Sequence, residues 1–195
     1  MKVFWCPQTR STRVLWLLEE AGLPYEPVLT DIRDHTKPRD SDFAHASPLG
    51  KVPAIIDGDI EMWDSSAIGL YIADKVEPGK LAPPVGDPKR AAYYYWMVFT
   101  PGMIEPAMQE KAAGLEPNPA QRGFGSFDMM LDLLEKGVAN SEWLLGDQFS
   151  AADVMVGSTA NFLKMFGMLP ENKVIDAYLD RCLARPAFQK ALAMG

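Results

Sequence analysis

Residues 47–68 read SPLGKVPAIIDGDIEMWDSSAI, and this stretch decides the fold of the first half of the chain. Ala54-Ile55-Ile56 and Ile60-Glu61-Met62 flank Asp57-Gly58-Asp59, and an Asp-Gly pair between two such strand-like segments is typical of a β-hairpin turn. Asp64-Ser65 then predicts the start of a helix, because both side chains can accept hydrogen bonds from the free N–H groups there. The stretch therefore predicts a strand, a turn, a second strand and a helix.

The residues before this stretch predict two further strands, each followed by a helix. Cys6-Pro7 breaks the first apolar run, and Gly22 with Pro24 ends the first helix. The four elements are a strand over residues 3–5, a helix with an apolar stripe at Val14, Leu17, Leu18 and Ala21, a strand over 25–30 and a short helix near Ser41. The order β-α-β-α-β-β-α through Val76 implies a mixed sheet with helices packed on it.

The second half of the chain differs in kind from the first. Residues 77–87 are rich in Pro and Gly and are typical of a linker. Helical patterns follow, including a capping-box start at Ser150–Asp153 and a last short helix that begins at Pro186. The fold class predicted is therefore α+β followed by all-α, with domains at 1–76 and 88–195 joined by that linker.

Composition excludes several classes of function. Of the 195 residues, 48% are apolar and 23% charged, which is typical of a globular protein. The net charge of −7 argues against a partner that is nucleic acid or an anionic membrane. The longest apolar run, 91–99, is shorter than a membrane span, and the N-terminus lacks the pattern of a signal peptide. The two cysteines fit a reducing compartment, so a cytoplasmic location is expected.

The loop after the first strand carries three candidate catalytic side chains. Cys6 precedes a predicted helix, whose free N–H groups and positive dipole end favour a thiolate, and Arg10 and Arg13 would add positive charge. Thr9 and Ser11 offer hydroxyls that could stabilise an external thiolate or could simply cap the helix. No second cysteine follows at C-x-x-C spacing, so only monothiol exchange with an external thiol is predicted for Cys6.

Two later segments are candidate binding elements. A cis bond between Val52 and Pro53 would turn the chain and present the backbone N–H and C=O of Val52 outward. Asp64 and Ser65 could pair with a substrate ammonium group and hold a carboxylate at a helix start, or could be an ordinary cap. His35 and His45 fall in a polar loop without a metal-ligand pattern, so no metal is expected.

The chain resembles the cytosolic glutathione transferases over nearly its whole length. Five segments carry the resemblance in the correct order: Arg13–Glu26, Ser47–Pro53, Asp64–Ile68, Ser150–Asp153 and Arg185–Phe188. The resemblance implies a thioredoxin-like first domain and a helical second domain. It also implies a cis Pro53, pairing of Val52 with the cysteinyl part of glutathione, and binding of the γ-glutamyl end by Asp64 and Ser65. Lys51 matches a position that often approaches the glycyl carboxylate.

The resemblance leaves the catalytic residue open. Cys6-Pro7 falls where omega-type, glutaredoxin-like members have Cys-Pro, which implies thiol transfer through Cys6. Thr9 falls near the serine of theta- and delta-type members, so Thr9 or Ser11 could instead stabilise the glutathione thiolate for attack on an electrophile. The expected partners are glutathione as co-substrate, a small hydrophobic electrophile or disulfide bound along the helical domain, and a second copy of the chain in a homodimer. The alternative is a non-catalytic interaction module of the same fold.

Overall fold

The computed structural model describes residues 1–34, 36 and 38–194, which form two compact units. The first unit contains Met1–Glu77 together with Arg185–Gly195, and the second contains Pro78–Ala184. The last segment of the chain therefore groups with the first unit, whereas the sequence pattern had placed it with the helical residues 88–195.

A four-stranded mixed sheet forms the centre of the first unit. Its strands are β1 (Lys2–Trp5), β2 (Glu26–Leu29), β3 (Ala54–Asp57) and β4 (Ile60–Trp63), and their order is β2-β1-β3-β4. The pair β1–β2 is parallel, while β1–β3 and β3–β4 are antiparallel. The hairpin predicted around Asp57-Gly58 is confirmed, with Gly58 at a positive φ of 64°.

Among its described residues, the first unit also contains four helices. They are α1 (Ser11–Ala21), α2 (Ser41–Ala46), α3 (Ser65–Asp74) and, at the end of the chain, α9 (Pro186–Leu192). The predicted order β-α-β-α-β-β-α is therefore confirmed. The stripe of α1 packs as its spacing predicts, because Val14, Leu17, Leu18 and Ala21 are all buried.

The C-terminal helix α9 packs against α1 through an aromatic contact and two ion pairs. The rings of Trp16 and Phe188 meet edge to face with centroids 4.9 Å apart. Glu20 accepts a hydrogen bond from Arg185 Nη2 at 2.7 Å, and Glu19 accepts one from Lys190 Nζ at 2.6 Å. These contacts explain why the chain end belongs to the first unit.

The second unit is helical in its described residues. Its helices are α4 (Lys89–Phe99), α5 (Glu105–Ala112), α6 (Phe127–Val138), α7 (Ala151–Met165) and α8 (Lys173–Leu183), with a π-helical turn at Thr100–Ile104 between α4 and α5. Pro101 and Gly102 lie inside that turn, and sequence periodicity did not predict it. The capping box at Ser150 and Asp153 is present at the start of α7, as predicted.

Candidate functional site

Sheet register brings three candidate segments together at one end of the first unit's sheet. Ala54 lies opposite Phe4 on one side and opposite Trp63 on the other. Because both pairings are antiparallel, residues 52–53 adjoin the chain leaving β1 and the chain leaving β4. Cys6, Val52 and Asp64 therefore come from separate parts of the sequence to the same sheet end.

Hydrogen bonds from two hydroxyls hold the backbone of Cys6. The Cys6 N–H donates to Ser11 Oγ at 3.1 Å. The Cys6 carbonyl oxygen accepts from Thr9 Oγ1 at 2.7 Å and from Ser11 Oγ at 2.9 Å. Ser11 is fully buried, so its hydroxyl serves to fix this loop and does not reach the surface.

Thr9 differs from Ser11 in exposure and in what its proton can do. The two hydroxyl oxygens are 2.6 Å apart, and either can be the donor between them. Thr9 is half-buried, and its Oγ1 also accepts the Ser11 N–H at 3.2 Å. When Ser11 donates to Thr9, the Thr9 proton is free to point at the Cys6 carbonyl or at a ligand. Thr9 is therefore the hydroxyl that a ligand can reach.

The Cys6 thiol lies in a small apolar cluster and contacts one cation. Cys6 is only 2% exposed and clusters with Phe4, Phe43, Ala46, Val52 and Ala54. Its Sγ accepts a hydrogen bond from Arg33 Nη1 at 3.4 Å.

The sequence predicts that Arg10 and Arg13 add positive charge to the Cys6 loop, and the structure shows that Arg13 also has a partner on α3. The guanidinium of Arg13 is buried and donates to Ser65 Oγ at 3.2 Å, across to α3. The guanidinium found at the thiol is that of Arg33, which follows β2 and reaches back because β1 and β2 are parallel neighbours. No spacing signal in the sequence marks Arg33, since 27 residues separate it from Cys6.

The Val52–Pro53 peptide bond is cis, as the resemblance implied. Ser47 ties the preceding residue in place: its Oγ donates to the Lys51 carbonyl at 2.7 Å and accepts the Lys51 N–H at 2.9 Å. Within the described residues, no hydrogen bond occupies the Val52 N–H or C=O. Both groups are therefore open to an extended ligand. Lys51 is exposed beside them.

The start of α3 combines a cap with two unused polar groups. Asp64 Oδ1 accepts the Ser66 N–H at 2.9 Å and the Ala67 N–H at 3.1 Å, so Asp64 is the N-cap. Among the described residues nothing pairs with Asp64 Oδ2, which can accept from a ligand cation. Ser65 Oγ accepts from Arg13, and its own proton remains available to a ligand carboxylate.

The backbone of Asp64 is in an unfavourable conformation. Its φ is +76° and its ψ is 123°, a region that L-residues other than glycine rarely adopt. Such strain costs about 1–3 kcal/mol and is often found at ligand-binding positions. The conformation supports a binding role for this exposed carboxylate in addition to its role as a cap.

The second unit contains a large apolar cavity of about 810 Å³. Its apolar lining consists of Met108, Ala112, Leu131, Phe166, Met168, Leu169 and Pro170. Lys111 and Asp128 line it as well and form an ion pair at 3.3 Å. A cavity of this size and lining suits a drug-sized apolar molecule.

The described residues contain neither a metal-binding cluster nor a membrane-spanning helix. No group of three or more His, Cys, Asp or Glu side chains in residues 1–34, 36 and 38–194 is arranged to hold a metal ion. His35, one of the two histidines considered above, lies outside the described residues. Across the described helices, none has the length and apolar character needed to cross a membrane.

Comparison with known proteins matches both units to one family. Residues 1–74 match the family described as glutathione S-transferase, N-terminal domain. Residues 117–186 match glutathione S-transferase, C-terminal domain. The two matches come in the same order as the two units of the structure.

Individual relatives agree over most of their length. The chain is 30% identical to glutathione S-transferase F13 of Arabidopsis thaliana, over 91% of this chain and 88% of the relative. It is 31% identical to glutathione S-transferase hmp2 of Hypomyces subiculosus, over 80% of each. A sphingomonad glutathione S-transferase solved in complex with glutathione superposes with a TM-score of 0.81 and 27% identity, over 100% of this chain and 98% of that one.

Proposed function

The chain belongs to the glutathione S-transferase family and acts as a glutathione transferase, and we propose on that premise how its first unit binds glutathione and which side chains react. The observation that carries the proposal is the convergence of Val52, the start of α3 and Cys6 at one end of the sheet. The similarity to a protein solved with glutathione supports the choice of ligand. The alternative of a non-catalytic module is set aside, because the relatives are enzymes by name.

Each part of glutathione has a matching group in the first unit. Glutathione is a tripeptide with an ammonium group and a carboxylate at its γ-glutamyl end, a central cysteinyl residue and a glycyl carboxylate. Asp64 Oδ2 takes the ammonium, and the Ser65 hydroxyl donates to the adjacent carboxylate, which the positive end of α3 also favours. The free N–H and C=O of Val52 pair with the cysteinyl backbone, and Lys51 faces the glycyl carboxylate.

The reacting side chain proposed is Cys6. Its thiolate attacks the glutathione sulfur of a mixed disulfide, so that a Cys6–glutathione disulfide forms, the original S–S bond breaks and the other thiol leaves. A second glutathione thiolate then attacks that disulfide, releasing oxidised glutathione and regenerating Cys6. The position of Cys6 beside Val52, where the cysteinyl part of glutathione is expected, supports this choice.

Conjugation of an electrophile uses Thr9 in the same site. Thr9 is the accessible hydroxyl, and it donates to the sulfur of bound glutathione, which lowers the pKa of that thiol from about 8.5 towards neutrality. Ser11 stays buried and supplies the hydrogen bond that leaves the Thr9 proton free. The apolar cavity of the second unit supports a small hydrophobic electrophile as the second substrate.

Retention on immobilised glutathione tests this proposal, with Asp64→Asn as the informative variant. Asparagine can still cap α3 through its side-chain oxygen but carries no charge for the ammonium group, so we expect about a 10- to 100-fold weaker Kd and an unchanged fold. Calorimetric titration with glutathione measures the Kd, and conjugation of chlorodinitrobenzene reports activity. Failure of the folded wild-type protein to bind glutathione would contradict the proposal.

A homodimer is proposed on the surface of α4. Tyr94, Tyr95 and Val98 are exposed on neighbouring turns of this helix, and Val98 is 59% exposed. Clustered apolar side chains on one helix face are usually covered by a partner. We expect sedimentation equilibrium to give a mass twice the 21.6 kDa of the chain, and Val98→Glu to shift it to the monomer value. A wild-type monomer at micromolar concentration would exclude the dimer.

The cellular location proposed is the cytoplasm. Neither Cys6 nor Cys182 forms a disulfide in the structure, and reduced thiols persist in a reducing compartment. Cell fractionation with an antibody against the chain tests this location.

A further inference from the structure

Arg33 is held against the Cys6 thiol by two hydrogen bonds from its guanidinium and one from its backbone. Its Nη1 donates to Cys6 Sγ at 3.4 Å, and its Nη2 donates to the Pro7 carbonyl oxygen at 2.9 Å. Its backbone N–H donates to Asp31 Oδ1 at 3.0 Å, which fixes the turn after β2. The guanidinium therefore bridges the sulfur and the loop that follows it.

The surroundings of the sulfur make this contact electrostatically effective. The side chains that cluster with Cys6 are apolar, so the local dielectric is lower than in water and a nearby charge acts more strongly. The Arg33 guanidinium lies at hydrogen-bond distance from the sulfur and therefore attracts an anionic group that approaches Cys6.

Access to the sulfur also depends on Arg33. The thiol is 2% exposed, so a disulfide can approach only when a neighbour moves. Phe4, Phe43 and Val52 are buried in the unit, whereas Arg33 is exposed and its long side chain can rotate away. A carboxylate on the incoming disulfide would give the moving guanidinium a charged partner, and a neutral or cationic disulfide would not.

We propose that Arg33 is a positioning residue for Cys6, whose charge beside the sulfur makes this thiol react preferentially with anionic disulfides. This inference rests on the proposed role of Cys6 in thiol exchange. In the exchange, the Cys6 thiolate forms a bond to one sulfur of the disulfide, the original S–S bond breaks and the other half leaves as a thiolate. The substrate class is thus a disulfide that carries a carboxylate near the S–S bond.

Alkylation of Cys6 by two reagents tests the charge effect directly. Iodoacetate is anionic and iodoacetamide is neutral, and peptide mass spectrometry locates the label on Cys6. For Arg33→Gln we expect about a tenfold lower iodoacetate-to-iodoacetamide rate ratio, whereas Arg33→Lys restores the ratio because it keeps the charge. Added salt should lower the ratio in the wild type and leave it unchanged in Arg33→Gln.

Arg39→Gln is the matched control, because it removes the same charge from the same loop. The guanidinium of Arg39 packs against Gly50 and not against the thiol, so its loss should leave the alkylation ratio unchanged. An unchanged ratio in Arg33→Gln would overturn the proposal, as would an equal loss in Arg39→Gln.

Small disulfides extend the test to the substrate class. The probes are dithiodiglycolate, which is anionic, hydroxyethyl disulfide, which is neutral, and cystamine, which is cationic. The wild type should react fastest with the anionic probe and slowest with the cationic one, and Arg33→Gln should lose this order. If Cys6→Ser retains disulfide reduction, the proposed role of Cys6 fails, but the alkylation ratio still decides whether Arg33 controls this thiol.

Discussion

Replacing Cys6 with serine is expected to lower the reduction of a glutathione mixed disulfide by at least about a hundredfold, while glutathione affinity stays within a few-fold. A serine hydroxyl is not ionised at neutral pH and cannot replace the thiolate as nucleophile. Binding should survive, because the proposed contacts are made by Val52, Asp64 and Ser65 and not by the thiol. The measurement is the steady-state reduction rate together with calorimetric titration of glutathione.

Two further variants make this experiment decisive. Cys182→Ala removes the other thiol, which is fully buried on α8 in the second unit, and should leave the reduction rate unchanged if the protein remains folded. Thr9→Val should instead slow conjugation of an electrophile. If Cys6→Ser reduced the disulfide as fast as the wild type, Thr9 and not Cys6 would be the catalytic residue.

Replacing Asp153 with alanine is expected to lower the free energy of unfolding by about 3–5 kcal/mol. The carboxylate is fully buried and accepts four hydrogen bonds, two to each oxygen. The donors are Leu144 N–H at 2.9 Å, Tyr178 Oη at 3.2 Å, Ser150 N–H at 2.9 Å and Ser150 Oγ at 3.1 Å. Alanine would leave these donors buried without an acceptor. Denaturant unfolding followed by circular dichroism measures the loss.

The pH dependence of this loss has a definite sign. Burial raises the pKa of Asp153 from 3.8 to about 6, against the hydrogen bonds that lower it. The folded state therefore holds this proton up to a higher pH than the unfolded state, and the stability from Asp153 falls as pH rises from about 4 to about 6. A pKa shift of this size corresponds to a change of about 3 kcal/mol in the free energy of unfolding between low and neutral pH. The destabilisation by Asp153→Ala should thus be larger at about pH 4 than at about pH 7.

Asp147→Ala provides the matched control for Asp153→Ala. Asp147 is 90% exposed and pairs with Lys89 Nζ at 3.1 Å on the surface of the same unit. Exposed ion pairs contribute about 0–1 kcal/mol, so its loss should be small at both pH values. Equal effects of the two substitutions would contradict the role given to the buried carboxylate.

Local patterns in the sequence predicted most of the architecture. Each predicted feature is formed by residues that are close in the sequence. Examples are the apolar stripe of α1, the Asp-Gly turn between β3 and β4, the Asp64 cap and the capping box at Ser150. Side chains at such short separations face each other by helix or strand geometry alone. The order of elements and the two kinds of domain followed from these patterns.

Features that depend on distant residues could not be predicted in the same way. The π-helical turn at Thr100–Ile104 interrupts the 3.6-residue periodicity of the α-helix, so the spacing of apolar residues does not predict it. The packing of α9 against α1 joins Glu20 to Arg185, 165 residues apart, and its ion pairs leave no local signal. The hydrogen bond from Arg13 to Ser65 was not predicted, because helix position alone does not say that Ser65 lies across from Arg13.

The family, the order of strands and helices and the candidate residue types of the site follow from the sequence alone: a thiol, two hydroxyls, a carboxylate and a Val-Pro turn. Which of these residues come together depends on the tertiary structure. Sheet register placed Cys6 beside Val52, burial left Thr9 and not Ser11 accessible, and the parallel β1–β2 pair brought Arg33 to the sulfur. These outcomes depend on chain closure over tens of residues, whereas sequence patterns report only on neighbours within a few turns.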